Sequence, residues 1–222
     1  MTILEELISP LTFAEFQEKY LCRTPFAAPF KASRFRNLLS WSLLEEILSI
    51  GHPDCWLPRQ GLLPTESALC QGILTMEQAY KGFSEGRTVV VRHAEKAQSQ
   101  LREIAKDFAI LFPGLVDVQL YFTPAGEEGF DWHYDIEDVF VLQSRGEKEF
   151  RLRPNTITPR PLPEILPKDL HFELEPSRCE IRCLLKAGDW LYIPSGYWHK
   201  ARAKTPSFHI SVGVRSSQNT SS

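Results

Sequence analysis

The sequence predicts a mainly β protein, a double-stranded β-helix or jelly roll with N-terminal helices packed on it. Two observations carry this prediction. From about residue 113 onward the chain consists of short β-branched and aromatic runs separated by turn residues, which is typical of a sandwich or closed barrel. Before that point apolar residues recur mostly at helical spacing, as in amphipathic helices that cover a core.

The composition is that of one globular catalytic unit. The chain has 222 residues, of which 43% are hydrophobic and 24% charged, and this length can bury one sizeable core. The formal net charge of −3 offers no basic surface for nucleic acid. The N-terminus lacks the basic segment of a signal peptide, and no apolar run approaches the roughly 18 residues of a membrane span. With five scattered cysteines that read as reduced thiols, we expect a cytoplasmic protein.

Residues 1–112 are predicted to form a helical region packed on the barrel. Two or three helices are expected before residue 50, and the best defined covers about 42–50. Its start is indicated by Ser42 and Glu45, which have the spacing of a capping box, and its end by Gly51. The remaining elements expected here are helices at 75–83 and 98–112 and a β-branched strand at 88–92.

Residues 113–215 are predicted to form the barrel. The expected strands lie near 116–123, 130–134, 138–144, 148–153, 179–185, 189–193, 197–203 and 207–215. Between them, residues 154–176 contain six prolines, and proline is excluded from central strands. This segment is therefore an insertion, either a lid over a substrate or a plain surface loop. Residues 216–222 are a polar tail.

A candidate metal site begins with His133 and Asp135. Side chains two apart on an extended strand share a face, so the imidazole and the carboxylate can point at a common centre. Completed by a second histidine, they would form the facial triad of non-haem Fe(II) oxygenases. His199, delivered by a strand after two tight turns, is the candidate third ligand. A lone inward histidine is more often a hydrogen-bonded core residue, but the three together favour a metal.

Lys148 is the second candidate feature. Strict alternation over residues 147–153 places Lys148 on one face with Phe150 and Leu152. If those two face the core, the ammonium group does too, and a buried cation needs an anion. A dicarboxylate cosubstrate would supply it. In the alternative, the turn at Gly146 shifts the phase and Lys148 reaches water.

These motifs together resemble the JmjC and cupin-like 2-oxoglutarate-dependent oxygenases. The resemblance is carried by His133-x-Asp135, by Lys148 fifteen residues after the histidine, and by the Gly-Asp-x-Leu-Tyr-Ile-Pro-x-Gly-x-Trp-His stretch ending at His199. The segment 138–143 before a glycine resembles particularly the ribosomal oxygenase branch. The resemblance is good over about residues 115–215 and weak over about 10–30.

The resemblance implies that His133, Asp135 and His199 bind Fe(II) and that Lys148 holds the distal carboxylate of 2-oxoglutarate. Three further residues fall where family members line the cosubstrate pocket: Tyr121, Thr123 and Ser211. The implied reaction hydroxylates a substrate while 2-oxoglutarate is decarboxylated to succinate. The bacterial members of the branch have arginine at the anchor position and continue into a helical dimerisation region and a winged-helix-like domain, whereas this chain has Lys148 and stops. The oligomeric state is open, with a homodimer as one alternative.

The substrate is also left open. Acidic residues crowd the loops around the first two ligands, and an acidic mouth would attract a basic, ribosomal-protein-like or histone-like peptide, although charged loop residues are usually only solvated. These residues are Glu127, Glu128, Asp131, Glu137 and Asp138. The site walls or the core are expected to contain Trp132, Tyr134, Trp190, Tyr192 and Trp198. The alternatives are the same chemistry on a small molecule, N-methyl demethylation, a cupin-like metal or ligand binder without turnover, and an assembly module with a vestigial barrel.

Overall fold

The structure is a computed structural model that describes residues 1–58, 71–161 and 180–216, without the side chains of Gln71 and Ser216. Its helices are α1 (Ile3–Ile8), α2 (Phe13–Lys19), α3 (Trp41–Ser49), α4 (Met76–Ser84) and α5 (Ser99–Leu111). Its strands are β1 (Phe26–Ala28), β2 (Cys55–Trp56), β3 (Gln71–Gly72), β4 (Val89–Val91), β5 (Gly114–Thr123), β6 (Asp138–Arg145), β7 (Glu147–Arg153), β8 (Ile181–Lys186), β9 (Trp190–Ile193), β10 (Trp198–Ala203) and β11 (Ser207–Ser216).

The strands form two antiparallel sheets. The larger sheet has the order β1-β9-β6-β11-β5-β4-β2-β3, and the smaller has the order β10-β7-β8. Apolar side chains of β6 and β9 pack directly against those of β7 and β8, so the two sheets share one interior. This arrangement confirms the mainly β, jelly-roll prediction.

Alternation along β6 separates the two faces of the larger sheet. Val139 and Val141 point into the space between the sheets, whereas Phe140 and Leu142 join the core formed with the helices. Trp190 on β9 also faces the helices, and its indole N–H donates to the carbonyl oxygen of Leu7, 3.1 Å away. The helices therefore cover the outside of the larger sheet and leave the barrel interior for a site.

Most of the predicted elements are present, with a correction at the start of α3. The helix begins at Trp41, and the hydroxyl of Ser40 accepts the backbone N–H of Leu43 at 3.1 Å. The prediction of Ser42 as the cap was wrong, because Ser40 has the extended backbone that a cap requires. The strands β1, β2 and β3 were not predicted, because runs of two or three residues show no periodicity.

Some predictions fall outside the described residues. Most of the proline-rich segment 154–176 does, as do Cys70, Cys179 and nearly all of the tail 216–222. The cysteines that are described, Cys22, Cys55 and Cys183, are in the reduced thiol form. None of the helices in the described ranges has the length and apolarity that a membrane crossing requires.

Gly146 forms the turn between β6 and β7 and sets the phase of β7. Its φ is +73°, and a Cβ atom there would lie 2.0 Å from the carbonyl oxygen of Pro206. We expect Gly146→Ala to lower the free energy of unfolding by at least about 2 kcal/mol, because left-handed backbone strain is added to a steric overlap.

Chemical denaturation of Gly146→Ala beside Gly126→Ala tests this expectation. Gly126 also has a positive φ, of +83°, but nothing lies within 4 Å of an added Cβ atom. Its substitution should cost only the conformational penalty, about 1–2 kcal/mol. Equal stability of the two variants would contradict the close contact at Gly146.

Candidate metal centre

His133 and His199 are joined through their backbones. The N–H of His133 donates to the carbonyl oxygen of His199 at 3.2 Å, and the N–H of His199 donates to that of His133 at 2.8 Å. This is an isolated bridge, and the prediction of a strand at 130–134 was wrong. The backbone groups there bond locally, since the Asp131 carboxylate accepts the Trp132 N–H at 2.8 Å, and such local bonds compete with a strand ladder.

The three predicted ligands converge. Ligand atoms of His133, Asp135 and His199 all lie within 4.8 Å of one another, and the Nε2 atom of His199 is 3.4 Å from an oxygen of Asp135. Both imidazoles are buried and the carboxylate is half-buried. The structure therefore brings these three residues together, although His133 does not lie on a regular strand.

The hydrogen bonds of the two imidazoles fix their tautomers. The Nδ1 of His133 lies 2.7 Å from the carbonyl oxygen of Asp131, and the Nδ1 of His199 lies 3.0 Å from that of Tyr197. Because a carbonyl oxygen can only accept, each Nδ1 carries the proton, and in the neutral ring Nε2 keeps its lone pair. This is the usual support for a histidine that binds a metal through Nε2.

The residues present fit a divalent metal ion. In the neutral tautomer, the Nε2 lone pair of His199 and the Asp135 carboxylate, 3.4 Å apart, are two electron-pair donors that repel each other. A cation held between them would convert this repulsion into binding. Two imidazoles and one carboxylate suit Fe(II) and leave coordination positions for a cosubstrate.

The five aromatic residues expected at the site walls or in the core all belong to packing clusters. Trp190 and Tyr192 lie in the core beneath the helices. Tyr134 and Trp198 make an edge contact at 4.8 Å, in a small cluster with Trp132. Trp132 has three cationic groups 5.0 to 5.7 Å from its ring, those of Arg151, Arg153 and Lys200. These contacts hold the segment that carries His133.

A cavity of about 400 Å³ opens beside the three ligands. Its apolar walls include Trp56, Tyr121, Phe130, Val139, Val141 and Phe150, and its polar lining includes Arg92, Asp117, Gln119, Glu137, Lys148, His209, Ser211 and Arg215. The volume is in the range of small-molecule sites, roughly 300–1,000 Å³. Strand alternation places Gln119 on the same face as Tyr121, and His209 on the same face as Ser211, so both residues could have been predicted. Trp56 lies on a two-residue strand that no sequence pattern indicates.

Lys148 points into this cavity, and the phase predicted for β7 is confirmed. Its side chain is buried, with 2% of its surface exposed, and Nζ donates to the hydroxyl of Thr123 at 3.0 Å. Burial lowers the pKa of the ammonium group to about 7, and no carboxylate opposes this shift. The cavity therefore carries a cationic group with no anionic partner among the described residues.

The other three predicted cosubstrate contacts take different positions. Tyr121 and Ser211 line the cavity. Thr123 does not line the cavity. Its hydroxyl, which accepts a hydrogen bond from Lys148, also accepts one from the Thr88 hydroxyl at 3.3 Å. Loss of water raises the pKa of the Tyr121 phenol, with a smaller contribution from Asp135.

The acidic loops do not form the expected mouth. Of the five acidic residues, Glu137 is on the cavity wall, 3.4 Å from Arg215. Glu128 and Asp131 lie 3.5 and 3.6 Å from Lys200. Asp138 is buried, accepts from the Tyr192 hydroxyl and has a raised pKa because of burial.

Comparison with known proteins agrees with this geometry. A family model described as the JmjC domain matches residues 90–221, which is more than half of the chain and contains all three candidate ligands and Lys148. The chain is a member of the JmjC family. Fe(II) and 2-oxoglutarate, the cofactors expected from the sequence, are those of this family.

Curated relatives point to the same branch. The chain is 27% identical over 98% of its length to a Drosophila persimilis protein named bifunctional lysine-specific demethylase and histidyl-hydroxylase NO66. It is 35% identical over 61% of its length to the protein of that name from Dictyostelium discoideum. It is also 28% identical over 99% of its length to ribosomal oxygenase 2 of Rattus norvegicus. The chain spans 32%, 26% and 48% of these proteins, respectively.

Solved structures support the fold. Ribosomal oxygenase YcfD from Escherichia coli, in complex with cobalt and succinic acid, superposes with a TM-score of 0.69 at 20% identity. Its complex with cobalt and 2-oxoglutarate gives a TM-score of 0.64. Each match covers 93% of this JmjC protein and 52% of the YcfD chain.

Proposed function

We propose that this JmjC protein is an Fe(II)- and 2-oxoglutarate-dependent oxygenase that hydroxylates a side chain of a protein substrate and releases succinate. One observation carries the proposal. A single cavity joins three convergent metal-ligand atoms to a buried ammonium group without an anionic partner among the described residues. A dicarboxylate that binds the metal at one end and Lys148 at the other satisfies both.

Each group of the chain then has a defined task. His133, Asp135 and His199 would hold Fe(II), which together with 2-oxoglutarate would supply the dioxygen activation needed to hydroxylate a C–H bond. Lys148 binds and orients the distal carboxylate, and Tyr121 and Ser211 shape the same pocket. The aromatic walls exclude water, which strengthens these electrostatic contacts. We assign this work to a catalytic core at 113–215, with residues 1–112 packed on it.

The proposed substrate is a segment of a basic protein. The names of the relatives, which include histidyl-hydroxylase and ribosomal oxygenase, support a ribosomal-protein-like peptide. The part of the cavity lining that includes Asp117 and Glu137 offers acceptors to a side chain with N–H groups. We place the reaction in the cytoplasm, which is consistent with the reduced thiol form of the described cysteines.

The proposal is tested by two measurements on the Fe(II)-loaded protein. Anaerobic titration with 2-oxoglutarate should produce the weak visible charge-transfer band of the chelated cosubstrate. Mass spectrometry of ribosomal-protein peptides after aerobic incubation should then show a gain of one oxygen atom. Methylated lysine peptides included in parallel would reveal loss of a methyl group instead. A metal-loaded protein with no band would leave a cupin-like metal binder as the better account.

The affinity for 2-oxoglutarate should depend on pH above neutrality. Lys148 has a pKa of about 7 in the free protein, but the bound carboxylate favours the charged form, so binding above this pKa requires uptake of a proton. We expect the dissociation constant to rise with pH between pH 7 and 9, with a slope that approaches about tenfold per pH unit.

Calorimetric titrations at several pH values would measure this slope. Lys148→Arg is the matched control, because arginine stays protonated throughout this range and its affinity should be nearly constant. A wild-type affinity that is equally constant would contradict the assignment of Lys148 as the anion-binding group.

A further inference from the structure

Two basic side chains from different strands, Lys148 and His209, line the cavity. The Nζ atom of Lys148 is 5.8 Å from the centre of the Tyr121 ring and 6.0 Å from that of Phe150. The ring of His209 on β11 lies 4.7 Å and 5.9 Å from the same two rings. Lys148 and His209 therefore flank one small space.

The His209 ring is held rigidly and has an unmet hydrogen-bonding capacity. It is 4% exposed and stacks on Tyr121 with an interplanar angle of 4°. Within the described ranges its ring makes no hydrogen bond, and Nδ1 is completely buried. Burial, and secondarily the charge of Lys148, hold its pKa well below the ordinary value. The ring is thus neutral and has one N–H to donate.

Tyr121 does not provide a competing donor at this place. The Nε2 of Gln119 donates to the Asp117 carboxylate at 2.7 Å, which fixes the orientation of the amide. Its Oε1 then faces the Tyr121 hydroxyl at 2.9 Å and accepts the phenolic proton. With that proton engaged, Tyr121 presents only lone pairs to the cavity. Lys148 and His209 then both offer donors beside the Tyr121 ring.

We propose that His209 is a second anion-binding residue, which donates a hydrogen bond to the same carboxylate that pairs with Lys148. The inference rests on the proposed function for the identity of the anion, the distal carboxylate of 2-oxoglutarate. It adds a binding residue on β11, contributed by a strand that carries none of the metal ligands. Since the ring is stacked and buried, it is already oriented before the anion arrives, which favours binding.

The experiment compares two ligands on the Mn(II)-loaded protein by isothermal titration calorimetry. 2-Oxoglutarate and 2-oxopentanoate have the same carbon chain and the same metal-chelating 2-oxo acid group, but only the former has a distal carboxylate. His209→Phe keeps a ring for the stack and removes both nitrogens. We expect the dissociation constant of 2-oxoglutarate to rise about tenfold, as for loss of a hydrogen bond to a charged group, and that of 2-oxopentanoate to stay unchanged.

Two further variants complete the test. His209→Asn retains an N–H donor and should recover part of the affinity for 2-oxoglutarate, and His209→Leu replaces the phenylalanine variant if that one does not fold. Equal weakening of both ligands, or of neither, would overturn the inference. If wild-type protein does not distinguish the two ligands, the proposed cosubstrate fails. If wild-type protein binds 2-oxoglutarate more tightly than 2-oxopentanoate, and this preference is lost in Lys148→Met but kept in the His209 variants, only the role of His209 is refuted.

Discussion

Replacement of His199 by alanine should abolish metal-dependent turnover and lower the affinity for Fe(II) by more than about 100-fold, since even loss of a residue that only supports a ligand costs roughly 10- to 100-fold. The variant removes one of two imidazoles whose Nε2 lone pairs are directed by carbonyl acceptors at Nδ1. It leaves Asp135 without its 3.4 Å neighbour. The fold should survive, because the bond between the two histidine backbones does not involve the side chain.

Metal content after dialysis and succinate formation are the measurements for His199→Ala. His52→Gln is a matched control, because His52 is also a buried histidine whose Nε2 contacts a carbonyl oxygen, that of Arg92 at 2.6 Å. It is not among the cavity-lining residues. The control should lose some stability but keep a full complement of metal. Wild-type metal affinity in His199→Ala would refute the metal centre.

Replacement of Lys148 by methionine should have opposite effects on stability and on function. Its ammonium group is buried with a single hydroxyl partner, so folding depresses its pKa from 10.5 to about 7. The unfolded state then binds more protons between these values, and the stability of wild-type protein rises with pH over this window. Methionine, similar in length and uncharged, removes the penalty. We expect a gain of about 4 kcal/mol in the free energy of unfolding at pH 7.

The same variant should bind 2-oxoglutarate at least about 100-fold more weakly, because a desolvated charge pair is lost. Denaturation and calorimetry on one preparation measure both effects. Lys106→Met is the control, since Lys106 is a lysine on α5 that pairs with Glu103 at the surface, and both quantities should change little. If Lys148→Met is less stable than wild type, the ammonium group of Lys148 is already stabilised by its protein contacts in the absence of a ligand.

The chemistry of the centre was predictable to a greater extent than its geometry. His133 and Asp135 were identified from strand alternation, although the segment is irregular and His133 pairs with His199 through an isolated bridge. Lys148 was placed correctly because the seven residues of β7 alternate without interruption. Alternation along β11 places His209 on the same face as Ser211, but its stacking on Tyr121 depends on the cross-strand register, which is determined by tertiary packing. Trp56 was not predicted, because its two-residue strand shows no sequence pattern.

The backbone bridge between His133 and His199 has a consequence for local opening of the protein. Two hydrogen bonds join these segments, and regions with few such bonds open more readily than regular strands. A ligand that binds only the closed form reduces opening in proportion to its occupancy. Loss of iron would therefore loosen the barrel at this edge first, and slow exchange of the His133 and His199 amide hydrogens would mark the loaded protein.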